Sequence, residues 1–164
     1  MTIPTFTLAN AFGQLNVAEY GGQLLNWKSA DGVENLYTPE NLSIQPGRAL
    51  RGGVPICFPQ FSDRGNLPKH GLVRTRPWQL LAQTETAMIL AISDDADTRE
   101  HWPYRFELMQ TLILDEQGLS IALDVHNRTD SPMVFTAALH SYLHVPDVRT
   151  CGLGGLNGCE YEDA

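Results

Sequence analysis

Apolar and polar residues alternate with period two through most of the chain. Leu119, Ile121, Leu123 and Val125 stand between Ser120, Ala122, Asp124 and His126, and Phe106, Leu108, Leu112 and Leu114 share one parity before them. Asp115-Glu116-Gln117-Gly118 separates the two runs with turn-forming residues. Two half-buried strands around such a turn make a β-hairpin. A second hairpin is expected from residues 78–82 through a turn near Glu85 into residues 88–92. Residues 6–8, 14–17 and 23–27 read as three further short strands. Residues 133–139, after Pro132, are β-prone as well. Only residues 97–102 look helical, and Pro103 stops that helix after about one turn. Short strands at regular spacing, punctuated by Gly and Asn, predict an all-β fold, an antiparallel β-sandwich or a barrel.

Residues 42–77 break the pattern: they are rich in Gly, Pro and Arg and only weakly periodic. Loops longer than about 12–15 residues without secondary structure are commonly functional or disordered. Val54, Ile56, Phe58 and Phe61 supply apolar anchors, so a packed functional loop is expected.

At 164 residues and 43% apolar, the chain is long enough for one domain, residues 1–164, with its own core. No apolar run approaches the ~18–20 residues of a membrane helix, and the start lacks the basic and apolar regions of a secretory signal. Three cysteines, Cys57, Cys151 and Cys159, are an odd count at no metal-ligand spacing and suit reduced thiols. A soluble, cytoplasmic protein is expected. Without that signal, the sequons at Asn41 and Asn127 carry no function.

The net charge of −8 argues against a nucleic-acid partner. Its distribution is uneven. Residues 48–76 carry Arg48, Arg51, Arg64, Lys69, Arg74 and Arg76 against Asp63 alone, a local +5, while residues 77–164 sum to −10. Such a stretch can be a solvated loop, or it can be an anion pocket, since Arg forks bind phosphate or carboxylate through two hydrogen bonds.

Residues 152–158, Gly-Leu-Gly-Gly-Leu-Asn-Gly, invite comparison with a dinucleotide loop. That loop needs a helix after it, and too few residues follow, so a turn between strands is the better reading. His140 and His144 are four apart. On a strand at ~3.3 Å per residue they would stand about 13 Å apart, too far for one metal ion to take both. From the residues alone, each reads better as a buried, hydrogen-bonded histidine.

Two segments stand out: Arg51-Gly52-Gly53-Val54-Pro55-Ile56-Cys57-Phe58-Pro59 and Lys69-His70-Gly71-Leu72-Val73-Arg74. The paired glycines would let backbone approach a ligand closely, and Arg51, His70 and Arg74 offer donors. Together with Leu139-His140-Ser141-Tyr142 they form the ordered pattern R-G-G-x-P-x-C-x-P, H-G-x-x-R-x-x-x-W, L-H-x-Y, with Trp78 in its place. In order and spacing this pattern resembles the hexose-6-phosphate mutarotases (glucose-6-phosphate 1-epimerases) of the galactose-mutarotase-like group. The resemblance extends from about Gly21 onward.

The resemblance implies a large antiparallel β-sandwich, the galactose-mutarotase-like supersandwich, with a sugar on its concave face. It implies interconversion of the α and β anomers of an aldohexose 6-phosphate by acid–base ring opening, with no cofactor and no metal. His140 would be the acid, His70 would line the sugar, and Arg51 and Arg74 would hold the phosphate. Lys69 stands where relatives often carry Gln and would add charge to that site. Members of the family continue well beyond the length of this sequence, and their catalytic base, a Glu, lies in that further stretch with a sugar-binding Asp. Glu160, Glu162 and Asp163 belong to the segment before it. The 164 residues thus resemble the N-terminal part of a mutarotase, a sandwich truncated at its C-terminal side, with the base's role unassigned. Two other functions fit the residues: a non-catalytic module that binds sugar phosphate, and a mutarotase of unphosphorylated aldoses. The expected partners are a small-molecule sugar phosphate, with no nucleic acid and no membrane, and a second polypeptide. An incomplete sandwich leaves open strand edges that can pair with another copy or a C-terminal fragment.

Overall fold

Hairpins assemble the chain much as the alternation predicts. In the computed structural model, which describes residues 3–45 and 47–160, β1 (Thr5–Asn10), β2 (Gly13–Ala18) and β3 (Leu24–Ser29) form an antiparallel sheet in the order β1-β2-β3. Among the described residues, the long irregular stretch that follows contains only the two-residue strand β4 (Ile56–Cys57) and a 3-10 turn at Val73–Thr75. Residues 52–60 are nevertheless buried without interruption, so this is a packed loop. A four-stranded antiparallel sheet comes next, built from β5 (Gln79–Gln83), β6 (Ala87–Ser93), β7 (Phe106–Asp115) and β8 (Gly118–Asn127) in sequence order. The fold is all-β, as expected, with its two larger antiparallel sheets on one core.

That core draws Leu8, Leu15 and Leu24 from the first sheet against Leu90, Leu108 and Leu112 from the second. Full burial of such a side chain is worth roughly 1.5–3 kcal/mol, so the two faces hold each other. β7 is flanked by β6 and β8, and Phe106, Leu108, Gln110, Leu112 and Leu114 along its inner face are completely buried. β8 is the last strand of its sheet, and its inward Leu119, Ile121, Leu123 and Val125 are only partly covered.

The single turn of helix α1 (Ala96–His101) begins one residue earlier than the pattern suggests, because Asp95 caps it. The Asp95 carboxylate accepts the Thr98 N–H at 2.7 Å while the Thr98 hydroxyl accepts the Asp95 N–H at 2.8 Å, a reciprocal capping box.

The strand expected over residues 133–139 is corrected to β9, Ala138–Leu139 alone. β9 pairs antiparallel with β4, Ile56 opposite Leu139 and Cys57 opposite Ala138. Pro55 and Pro59 bracket this partner, and proline has no N–H to give a ladder. Only their carbonyls serve, taking N–H bonds from His140 at 2.9 Å and Thr136 at 3.0 Å. On either side of β9 the chain runs exposed, with Val134 before it and Leu143, Val148 and Leu153 after it more than half open to solvent. The glycine-rich segment 152–158 lies there as an exposed turn. Glu162 and Asp163 lie outside the described residues.

Candidate active site

Three stretches of sequence meet at one place because backbone ties them together. Gly53 donates its N–H to Tyr37 at 2.7 Å, and Val54 donates to Leu24 at the edge of β3 at 2.8 Å. The contact is so close that a Cβ on Gly53, at φ +58°, would lie 2.0 Å from the Leu24 carbonyl oxygen. Gly52 abuts the Tyr37–Thr38 backbone in the same way. The paired glycines therefore seat this segment against its own sheet rather than opening it to a ligand, which corrects the sequence-based expectation. Arg51, one residue before, stays exposed at the rim.

The second stretch is fastened at Gly71, whose φ of +77° and close approach to the Phe58 carbonyl leave no room for a side chain. Leu72 donates to that carbonyl at 2.8 Å. Trp78 is buried, and its indole N–H donates to the Val73 carbonyl at 3.2 Å, holding the 3-10 turn that carries Arg74. The third stretch follows β9: His140 and Tyr142 donate their N–H groups to Pro55 and Gly53.

The outcome is a pair of histidines. The His70 and His140 rings lie 5.5 Å apart between centroids and nearly perpendicular. Tyr142 stacks on His140 at 5.1 Å, and Phe61 packs against His70 at 5.4 Å. Sequence reasoning did not single out these aromatic supports, although Tyr142 sits within the L-H-x-Y pattern. His144 takes no part: it is exposed, and its N–H pairs with Asn35 in an extended run.

Around the histidines lie cations. The Arg74 guanidinium donates to the Lys69 carbonyl at 2.6 Å, while its buried Nε has no partner. Beside it a cavity of about 520 Å³ is lined by Arg48, Arg51 and Arg74 with Asn41, Ser43 and Gln45, and no carboxylate lines it among the described residues. Among the described residues no Asp or Glu makes an ion pair with Arg48, Arg51, Lys69 or Arg74. Arg76 is different: its charge is spent on Asp95 and Asp97. Of the candidate residues, Arg51 and Arg74 line the cavity; Lys69, His70 and His140 are not in its wall, and His70 feels the charges of Arg74, His140, Lys69 and Arg51. Arg48 was counted in the cationic segment but not singled out; the fold brings it to the same wall.

These surroundings act on the titratable groups. Burial lowers the His70 pKa below its usual value of about 6.5, and the charges of Arg74, His140, Lys69 and Arg51 press it the same way. Burial raises the Cys57 thiol, with Arg74 opposing. Burial also lowers Arg74, and Arg51 adds to that. Because folded His70 resists a proton that the unfolded chain accepts, its neutral form stabilises the fold above pH ~6.5, and that contribution is lost as the pH falls through the folded pKa. Thermal melts should therefore show the stability gap between the natural chain and His70→Gln shrinking from pH 7.5 to pH 5. A constant gap would mean that His70 titrates alike in both states.

No group of three His, Cys, Asp or Glu able to hold a metal ion occurs among the described residues. None of the described helices is long and apolar enough to cross a membrane.

Residues 4–164 match the family model described as aldose 1-epimerase. Among curated relatives, a Salmonella typhimurium protein named "putative glucose-6-phosphate 1-epimerase" is 34% identical over 142 residues, covering 83% of this chain and 47% of its own. A protein of the same name from Cenchrus ciliaris is 33% identical over 156 residues, covering 88% and 47%. Among solved structures, a "putative mutarotase" from Salmonella typhimurium superimposes with a TM-score of 0.76 at 31% identity, over 88% of this chain and 50% of that one. A Synechocystis protein gives a TM-score of 0.80 at 26% identity, over 87% and 55%. The chain spans about half the length of the curated relatives it matches.

Proposed function

Since this chain belongs to the aldose 1-epimerase family, we propose that its site binds a hexose 6-phosphate and serves the interconversion of the α and β anomers. The observation that carries this reading is the cavity wall, where Arg48, Arg51 and Arg74 line a space with no carboxylate among the described residues, and where Arg74 and Arg51 also act electrostatically on His70 of the His70–His140 pair. Unpaired guanidinium groups in a partly desolvated wall leave hydrogen-bonding capacity that a phosphate satisfies. The names of the relatives point to the same substrate class.

In the proposed reaction a base removes the C1 hydroxyl proton, the C1–ring oxygen bond breaks, and the ring oxygen takes a proton from His140. The resulting aldehyde turns about the C1–C2 bond, and reclosure returns both protons and gives the other anomer. Arg51, Lys69 and Arg74 anchor the phosphate at one end and fix the distance to C1 at the other. His70 binds sugar hydroxyls between them. The base is the Glu that the family supplies from its other half.

Calorimetry tests the phosphate assignment directly. Each charged hydrogen-bonded contact is worth about 1.5–3 kcal/mol, so Arg74→Ala should weaken glucose 6-phosphate binding by roughly 10–150-fold. Free glucose should bind much more weakly than the phosphate to the natural chain and be little affected by the substitution. Equal affinities for the two sugars, or no loss on Arg74→Ala, would replace this reading with a mutarotase of unphosphorylated sugars.

A further inference from the structure

We propose that Cys57 is a positioning residue which, with the Ser62 backbone N–H, holds His70 in the tautomer that carries its proton on Nε2. The Ser62 N–H points at His70 Nδ1 at 3.2 Å. An N–H can only donate, so Nδ1 must present its lone pair, and the proton of the neutral ring stands on Nε2. The Cys57 sulfur lies 3.4 Å from the same nitrogen. Cys57 is buried at 1% exposure, and its thiol, kept protonated by that burial, shares the single Nδ1 lone pair with the Ser62 N–H in a three-centre contact.

The backbone is built for this contact. Ser62 and His70 both occupy the left-handed region, at φ +55° and +67°, a conformation that non-glycine residues adopt only where the surroundings hold them in it. They are joined reciprocally, since the His70 N–H donates to the Ser62 carbonyl at 2.9 Å. Cys57 is held independently by the pairing of β4 with β9. Moving the proton to Nδ1 would set N–H against N–H. Protonating both nitrogens would also add a charge beside Arg51, Lys69 and Arg74. His70 is thus kept as a neutral donor, and proton transfer is left to His140. The catalytic use of this arrangement rests on the proposed function; the tautomer itself does not.

Long-range proton–nitrogen NMR on histidine-labelled chain, free of ligand at pH 7.5, reads the tautomer without any assay of activity. His70 should show a protonated Nε2 and a bare Nδ1. Cys57→Ser, which keeps a donor, should leave that pattern in place, whereas Cys57→Ala should shift the Nδ1 resonance and admit the Nδ1–H or doubly protonated form at a higher pH. A protonated Nδ1 in the natural chain would overturn the proposal without any variant having to fold. Identical His70 spectra for Cys57→Ala and the natural chain would remove Cys57 from the role. Failure of glucose 6-phosphate to bind would leave all these spectra unchanged, so the two readings fall separately.

Discussion

Freshly dissolved α-glucose 6-phosphate is expected to mutarotate at close to its uncatalysed rate in the presence of these 164 residues alone. It is expected to mutarotate about 10²–10⁴-fold faster once a polypeptide carrying the other half of the aldose 1-epimerase fold is supplied, which is the usual contribution of one positioned acid or base. In the proposed reaction the acid–base pair is split: His140 stands beside His70, and the family resemblance implies a base, a Glu, in the half of the relatives' length that this chain does not span. Packing leads to the same partner. The inward side chains of β8 are only partly covered, and Val134, Leu143, Val148 and Leu153 stand open beyond it. An end strand offers unpaired N–H and C=O groups to any further strand, and exposed apolar patches beyond a few hundred Å² are unusual on monomers. We therefore expect light scattering to show self-association of the 164-residue chain, giving way to a one-to-one complex when the second half is added. Polarimetry on the same samples completes the test. A stable monomer with brisk mutarotation would place the base among the acids of this chain instead.

In that reconstituted assembly, His140→Asn should remove most of the gain, again about 10²–10⁴-fold, because an amide cannot deliver a proton to the ring oxygen. The fold should survive: the His140 backbone N–H still meets Pro55, and Asn can occupy the same position beside Tyr142. His144→Asn should change the rate less than about threefold, since an exposed side chain far along the extended run supplies no such proton. A larger loss from His144→Asn than from His140→Asn would exchange their assignments.

Residues 106–127 show how far alternation reaches. With period two, a slip of one residue would turn Leu108, Leu112 and Leu114 to the solvent, so the pattern and the turn at Asp115–Gly118 together set the register that pairs Phe106 with Asn127. Gln110 marks where the pattern stops being sufficient. It occupies an inner position of β7, fully buried, with neither amide atom hydrogen-bonded, and nothing local announces a polar group there. Residues 133–139 mark another limit. Their own composition favours a strand, but strand length belongs to the pair, and the partner is bracketed by Pro55 and Pro59.

The same division runs through the site. Which residues could carry the chemistry is written locally, in the ordered motifs and in a cluster of cations within an acidic chain. The charge that each cation has left is not local. Arg76 and Arg74 are two residues apart, yet Arg76 is neutralised by Asp95 and Asp97 while Arg74 lines the cavity with Arg48 and Arg51. The paired glycines, read as an opening toward a ligand, serve instead to admit Leu24 and Tyr37. The sequence by itself determined the strands of the two larger sheets and the register of the long hairpin, because side-chain period and turn chemistry act between near neighbours, while the candidate acid rests on the resemblance of the ordered motifs. Only the tertiary structure decided which arginines remain unpaired and what holds each nitrogen of His70, because those depend on atoms that chain closure brings within about 3–4 Å from distant parts of the sequence.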